Sequence, residues 1–340
     1  MKKQHVGIVG AGMAGLACAT ELVKAGFQVS VYDKSRGVGG RMSHRYYEKW
    51  GADHGAQYFT VKDDQFKSEL DNWLISGVVQ EWLGKIVTLN QDGYEELSKT
   101  TPRYVGVPTM SSPAKFLAQK LSVSTMHTIS ELQYSQGAWR MVSKEHGLLP
   151  TVFDQIVLAI PSPQAKVLVQ AHSESLKEAC ESVVMLPCWT LMAYLKNPLP
   201  LDFDAAFVSN RIFSWLARDS DKPERSPYET WVAQANHQWS LEHVDFSQIQ
   251  AEELLLEEFK KITGVDCDLY QTHLWRYAKL ETPKETNYVI DAKLNMALCG
   301  DWLRNSTVEG AWLSGHSLAK RMIWLSNIDT IQNLSENNLS

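Results

Sequence analysis

The chain has 340 residues, with 33 Lys and Arg against 39 Asp and Glu and a formal net charge of −6. A chain of this length can bury a large core and suggests two domains, and its acidic balance offers no basic footprint for nucleic acid or an anionic membrane. Five cysteines, Cys18, Cys180, Cys188, Cys267 and Cys299, are odd in number, scattered and without a Cys-x-x-Cys pair. They point to a reduced, cytoplasmic protein. The histidines are dispersed without zinc-site spacing, so no metal is expected. No segment reaches the roughly 18 uninterrupted apolar residues of a membrane span. The charged start before apolar Val6 to Ala19 looks like a signal peptide, yet it carries a glycine motif and reads as the first strand and helix.

Val6, Ile8 and Val9 predict a buried strand, and Gly10-Ala11-Gly12-Met13-Ala14-Gly15 then turns the backbone into a helix. Gly10 permits the tight turn, Gly12 removes the Cβ that would block a phosphate, and Gly15 lets helix and strand pack closely, so the helix N–H groups face a pyrophosphate. The helix, Met13 to Ala25, stops at Gly26, and a second strand, Gln28 to Tyr32, delivers Asp33 to a ribose. A lone glycine fingerprint is weak, because a strand-to-helix turn can form without a ligand. The spacing to Asp33 strengthens it, and that carboxylate would repel a 2′-phosphate. Arg36-Gly37-Val38-Gly39-Gly40-Arg41 follows at once. This second glycine pair, with cationic donors for the same pyrophosphate, favours FAD over NAD.

Helices are expected over Asp64 to Ser76, with Phe66, Leu70, Trp73 and Leu74 at core spacing, and from Ser112-Pro113 to Leu121. Ser124 to Leu132, Trp139 to Val142 and Gln155 to Ile160 read as strand, hairpin and buried strand. Long aromatic strands follow, Trp189 to Leu195, Ala206 to Ala217 and Tyr228 to Gln234, then a helix from Gln248 to Ile262 closed by Gly264 and covering a sheet. Met296 to Asp301 returns as a short strand. Val308 opens a last helix to about Leu325, whose positive end suits the pyrimidine edge of a flavin, with Asp301 on the ribityl hydroxyls. Ser326 to Ser340 is a polar tail.

Trp189, Trp215, Trp231, Trp239 and Trp275 could stack a planar substrate or fill the core between sheet and helix. In Gln271 to Ala278, His273, Trp275 and Tyr277 share one strand face and Arg276 takes the other. Either face could line a pocket. His237, placed at a strand end, fits a pocket rim or solvent, and His54 fits a local hydrogen bond or a pocket wall.

These motifs resemble the flavin amine oxidase superfamily, and within it the bacterial renalase-like proteins. The resemblance is carried by Gly55 to Thr60, Ala159 to Gln164, Trp215 to Pro223, Trp239-Ser240, Trp275 to Ala278, Gly300-Asp301 and Val308 to Gly315, and it covers Val6 to about Leu325. It implies adenine-half contacts at Ala11, Gly12, Met13, Ala14, Asp33, Lys34 and Arg41, with the Ile129 backbone on adenine. It also implies Gln57 and Tyr58 beside the isoalloxazine, and Asp301, Gly310 and Ala311 on the ribityl chain and pyrimidine edge. The activity it implies is oxidation of 2- or 6-dihydro-NAD(P), with O2 reduced to H2O2. Such chemistry needs no catalytic dyad, since the dihydropyridine expels hydride with its own nitrogen lone pair.

The expected architecture is α/β: a Rossmann-like domain of glutathione-reductase/amine-oxidase type holding non-covalent FAD, over 1–60, 105–170 and 285–326, with an inserted α+β substrate domain on a mixed or antiparallel sheet, over 61–104 and 171–284. Residues 327–340 are the tail. The cofactor contacts are Gly10, Ala11, Gly12, Met13, Ala14, Gly15, Asp33, Lys34, Gly40, Arg41, Gln57, Tyr58, Ile129, Asp301, Gly310 and Ala311, and the pocket candidates are Tyr58, His237, Trp275, Arg276 and Tyr277. A flavin-dependent amine oxidase, with an aromatic cage for an uncharged amine, is the rival enzyme. An FAD-binding regulatory or interaction protein is the non-enzymatic alternative.

Overall fold

The structure is a computed structural model that describes residues 3–90, 93–97 and 101–337. The chain divides into two compact units, Met1–Gly40 with Ala114–Val184 and Thr282–Ser340, and Arg41–Pro113 with Met185–Glu281. Against the expected bounds, residues 41–60 and 105–113 fall in the second unit and residues 171–184 and 282–284 in the first.

In the first unit, His5–Val9 lies centrally in a six-stranded sheet, parallel to Gln28–Tyr32 on one side and Gln155–Leu158 on the other. Ser122–Ser124 extends the first side in parallel, Met296–Cys299 the second, and Tyr288–Asp291 closes that edge antiparallel. Central parallel strands are covered on both faces, which is why Val6, Ile8, Ile156, Val157 and Leu298 form uninterrupted buried apolar runs. A smaller antiparallel sheet holds Ile129–Ser135, Ala138–Ser143 and Gly147–Leu148. The Rossmann-like fold expected from the sequence is present.

Glycines set how closely the unit's elements approach. Gly10, at φ +108°, makes the turn, and a Cβ there would meet the Ala159 carbonyl oxygen at 2.5 Å. A Cβ on Gly15 would strike the Gly10 carbonyl oxygen, and one on Gly315 the Ala14 carbonyl oxygen. Strand, first helix (Met13–Lys24) and last helix (Val308–Asn337) therefore pack backbone to backbone. The last helix runs past the expected stop near Leu325, because Ser326 to Asn337 contains no proline or glycine to end it. Asn338 to Ser340, the end of the expected tail, lie outside the described residues.

The second unit is built on a mixed seven-stranded sheet in the order Leu269–Leu280, Met185–Leu195, Glu229–Ala235, Phe213–Arg218, Ala205–Val208, Ile86–Asn90, Gly93–Glu96. Only Ile86–Asn90 beside Ala205–Val208 is a parallel pair. The single strand expected from Ala206 to Ala217 is a hairpin, turning at Asn210 with φ +57°, a conformation asparagine tolerates. The helix Gln248–Thr263 covers one sheet face, where Trp189, Leu191, Phe213, Trp231, Leu255 and Phe259 form a core. Each such side chain contributes about 1.5–3 kcal/mol on burial. The opposite face meets Trp50 and Ala52 at Met192 and Val232. No helix among the described residues is long and apolar enough to cross a membrane.

Gly315→Ala is expected to destabilise the apo-protein by about 1–3 kcal/mol, since the new methyl forces two backbones apart. Thermal denaturation followed by circular dichroism should show a midpoint lower by a few degrees. An unchanged midpoint would refute the close approach.

Candidate functional site

The start of the first helix is built to receive an anion. Gly12 is its N-cap, at φ −77° and ψ 178°, with no side-chain cap and no acidic residue in the first turn. Uncapped first-turn N–H groups and the helix dipole favour negative charge. A Cβ on Gly12 would meet nothing within 4 Å, so its absence keeps the approach to those groups clear. Gly39 N–H donates to the Ala11 carbonyl (2.9 Å), which lays the second glycine pair against this turn. Asp33, buried at the end of its strand, accepts from Ala11 N–H at 2.7 Å and Ser35 N–H at 2.8 Å. Its carboxylate retains lone pairs for ribose hydroxyls. His127 N–H bonds the Asp33 carbonyl (2.9 Å), bringing the segment that leads to buried Ile129 alongside. Lys34 is exposed beside them. These residues fit a dinucleotide.

In the same unit, buried Asp301 begins a short 3-10 turn after Gly300, whose N–H donates to Ser314 Oγ at 2.8 Å. Gly310 N–H donates to Thr307 Oγ1 at 2.9 Å, and Ala311 N–H to the Thr307 carbonyl at 2.9 Å. With Glu309 also in its first turn, the last helix has a weaker positive end than the sequence suggested.

In the second unit, the sheet settles which face of Leu269–Leu280 meets the Gly55–Tyr58 loop. Directly opposed residues of an antiparallel pair share a face, and His273, Thr190, Gln234 and Trp215 pair successively across four strands. Gln234 Nε2 donates to the Gly55 carbonyl (2.7 Å), and Trp275 Nε1 to the His54 carbonyl (2.8 Å). Trp275 stacks on His54 with centroids 5.0 Å apart, and Tyr58 lies 5.5 Å from Trp215 with Arg103 5.3 Å above its ring. Arg276 is exposed on the opposite face, so it is apart from Trp275 and half-buried Tyr277. Arg41, expected to reach a pyrophosphate, donates from Nη1 to the carbonyls of Tyr277 (3.3 Å) and Ala278 (3.0 Å). His237 opens a helix capped by Asn236 instead of ending a strand, and its Nδ1 pairs with the Pro187 carbonyl at 2.9 Å. Of the five tryptophans, Trp189 and Trp231 are core, and Trp215 and Trp275 line this face.

Burial, helped by His273 and Arg45, pushes the His54 imidazole down to about 3. Burial, then Arg45, pushes His273 down to about 4. Both rings are neutral at physiological pH. A larger cleft of about 740 Å³ lies elsewhere, at Val208, Asn210, Arg211, Trp239 and Glu258. It holds none of the expected site residues, and its Arg211 is already paired with Glu258 at 3.5 Å.

Sequence reasoning missed a buried charge cluster behind the loop. Asp53 Oδ2 accepts from Arg225 Nη2 (2.5 Å) and Lys222 Nζ (3.5 Å), while its Oδ1 meets His44 Nδ1 (2.8 Å) and Met110 N–H (3.0 Å). Lys222 also donates to Asp219 Oδ1 at 2.7 Å and Gln57 Oε1 at 3.2 Å. Gln57 Nε2 donates to the carbonyls of Asp53 and Gly55, so its amide orientation is locked from both ends. Burial would raise the Asp53 pKa, but the Lys222 and Arg225 charges and the His44 hydrogen bond hold it well below the usual carboxylate range. His44, Asp53 and Asp219 bring ligand atoms within 4.8 Å of one another, a spacing that could suit a metal. Lys222 and Arg225 already supply positive charge on the two carboxylates. The Trp215 to Pro223 motif was visible in sequence, but its pairing with Asp53 joins positions 169 apart.

Gly12→Ala should leave the apo-protein's melting midpoint unchanged while weakening FAD binding at least about tenfold, read by titration of the apo-protein. Tight FAD binding by the variant would refute the assigned approach. Lys222→Met should cost about 3–5 kcal/mol at neutral pH, because buried Asp219 loses the Lys222 cation and buried Asp53 loses one of its two. Asp53's depressed folded pKa stabilises the wild type above the unfolded carboxylate value near 4, and that contribution is lost as pH falls below it. The difference between wild type and variant should therefore hold steady above about pH 5 and shrink below about pH 4. His54 and His273 add an acid cost below about pH 6.5 to both proteins alike. A difference that does not change with pH in thermal melts would contradict the cluster's role.

Residues 8–71 match the family described as an NAD(P)-binding Rossmann-like domain, and residues 84–323 the family described as flavin containing amine oxidoreductase. The L-amino acid oxidase Cdc18 of Crotalus durissus cumanensis is 46% identical over 59 residues, 17% of this chain and 12% of that protein. The 4,4'-diaponeurosporene oxygenase of Staphylococcus haemolyticus is 34% identical over 61 residues, 18% of this chain and 12% of that protein. The matches thus span a small part of these curated relatives. Cyclohexylamine oxidase from Brevibacterium oxydans superposes with a TM-score of 0.73 at 11% identity, covering 96% of this chain and 100% of that one. Putrescine oxidase bound to putrescine gives 0.66 at 13% identity, covering 95% and 99%. Identities this low speak for the fold alone. The flavin family's match takes in most of the chain, and the uncapped glycine turn suits the cofactor that family carries: the chain belongs to the flavin containing amine oxidoreductase family, and its cofactor is FAD.

Proposed function

We propose that the protein is an oxidase of dihydronicotinamide nucleotides whose reducing hydrogen sits at ring position 2 or 6, working in a reducing cytosol with FAD held non-covalently. When bound, FAD would supply a hydride acceptor for such a ring and a route for the electron pair to O2, with a proton from solvent completing H2O2. The chain's part is to hold the cofactor and present a substrate surface. Gly10, Ala11, Gly12, Met13, Ala14, Gly15, Asp33, Lys34, Gly40, Arg41 and Ile129 would take the adenosine diphosphate half. Asp301, Gly310 and Ala311 would take the ribityl chain and pyrimidine edge, and Gln57 and Tyr58 the ring.

One observation carries this reading over amine oxidation: the charged groups that touch the aromatic face are guanidinium groups. Arg103 lies over Tyr58 and Arg45 donates to His273 at 3.1 Å, whereas Asp53 and Asp219 are neutralised from within by Lys222 and Arg225. An ammonium substrate meets charge of its own sign there, and an anionic nucleotide meets the opposite one. The Trp275 indole, stacked at 29° on the neutral His54 imidazole with the neutral His273 ring edge-on to both, offers a largely uncharged aromatic wall to a planar ring. A dihydropyridine needs no protein base, because its ring nitrogen drives hydride departure. The five free cysteines support a reducing setting. Amine oxidation is the second reading, favoured by the family and by the Tyr58–Trp215 pair tilted at 51°, which offers aromatic surface to an uncharged amine.

Anaerobic mixing of the holoenzyme with borohydride-generated isomers of dihydro-NAD should bleach the visible flavin band within the mixing experiment, at a rate that varies little between about pH 6 and 9, where His54 and His273 do not titrate. Primary and secondary amines should leave the band intact. Bleaching by amines alone, rising with amine deprotonation, would overturn the assignment.

A further inference from the structure

Leu269–Leu280 is an edge strand with one neighbour, Met185–Leu195, in the sheet. Against it runs a cleft of about 300 Å³ whose polar lining includes Arg45, Gln248, Gln271, Thr272, His273 and Arg276. That volume lies at the low end of the roughly 300–1,000 Å³ of small-molecule sites. Arg45 Nη2 donates to His273 Nδ1 at 3.1 Å. Among the described residues, neither Arg45 nor Arg276 has a carboxylate at ion-pair distance. The acid nearest by contact, Glu252, is engaged by Thr272 Oγ1 at 3.0 Å and Gln248 Nε2 at 2.9 Å. The lining thus carries two guanidinium charges against the single carboxylate of Glu252 bonded to Gln248 and Thr272. Each guanidinium offers a planar fork of donors that matches phosphate oxygens.

The cleft also joins the aromatic face. The cleft takes lining from both faces of this edge strand: Arg276 enters it from the face opposite Trp275, while His273, 4.5 Å from the Trp275 ring and 5.0 Å from the His54 ring, joins its Arg45 side to the aromatic wall assigned above to the substrate ring. In a pyridine dinucleotide the diphosphate follows the nicotinamide at the distance of one ribose. Resting on the dihydronicotinamide reading, we infer that Arg45 and Arg276 form a subsite for the diphosphate of a dinucleotide substrate, with Gln271 and Gln248 as neutral donors beside it. Discrimination would then act on the substrate's tail as well as on its ring, and mononucleosides would bind more weakly than dinucleotides.

Binding to the holoenzyme, followed by calorimetry, separates this subsite from the reaction assigned to the ring. ADP-ribose, which carries the diphosphate without a nicotinamide, should bind wild type in a salt-sensitive way. Arg45→Gln with Arg276→Gln should weaken it at least about tenfold, and Arg45→Lys with Arg276→Lys should restore part of the loss. Both arginines are exposed, so the variants should keep the wild-type melting midpoint. A Lys260→Gln with Lys261→Gln variant, which removes equal charge from the last turn of the helix whose first residue is Gln248, should bind as wild type does. Failure of ADP-ribose to bind wild type, or equal binding by the Arg45→Gln/Arg276→Gln variant, would overturn the subsite. Inorganic pyrophosphate competing as well as ADP-ribose would identify a free-anion site and overturn the dinucleotide assignment. If ADP-ribose binds through the arginines while no dihydronicotinamide bleaches the flavin, the subsite stands and the reaction assigned to the ring falls.

Discussion

Backbone-to-backbone contact at three glycines governs the first unit. Gly10 turns under the Ala159 carbonyl, Gly15 rests on the Gly10 carbonyl and Gly315 on the Ala14 carbonyl. No residue with a Cβ could occupy Gly15 or Gly315 without separating these elements. The result is a first helix pressed into its strand, with its first turn clear of side-chain caps and facing the Gly39–Gly40 loop. The glycines that pack the helices thus also leave backbone donors for a pyrophosphate. Fold and cofactor binding rest on one steric condition.

The second unit uses electrostatics in a comparable way. Two carboxylates, Asp53 and Asp219, are buried with two cations, Lys222 and Arg225, and every donor of the Lys222 ammonium has an acceptor. Such a cluster is weak evidence for net stability, because desolvation offsets most of the Coulomb gain. Its effect is to fix geometry. Gln57 is held at both ends of its amide, and the loop that carries Tyr58 is tied to the sheet by Gln234 and Trp275.

Local features were legible in the sequence. The Gly10 to Gly15 turn, Asp33 at the end of its strand and the helix closed by Gly264 each depend on residues a few positions apart, and they formed where expected. Where the chain's own turn chemistry was overlooked, boundaries moved: Asn210 breaks a supposed strand into a hairpin, and Asn236 caps a helix at His237. Alternation along Gln271 to Ala278 gave two faces but not which one turned toward Gly55, since that depends on partners in other strands. The Asp53–Lys222 cluster was out of reach for the same reason. Charge patterning within a motif carries no address for a partner 169 residues away.

The flavin content of the purified protein decides whether the glycine turn holds FAD. The purified protein should show an oxidised-flavin absorbance spectrum and, on denaturation, release close to one equivalent of FAD, free of the chain and not as FMN. A folded but colourless protein that takes up no FAD when it is supplied would contradict that assignment.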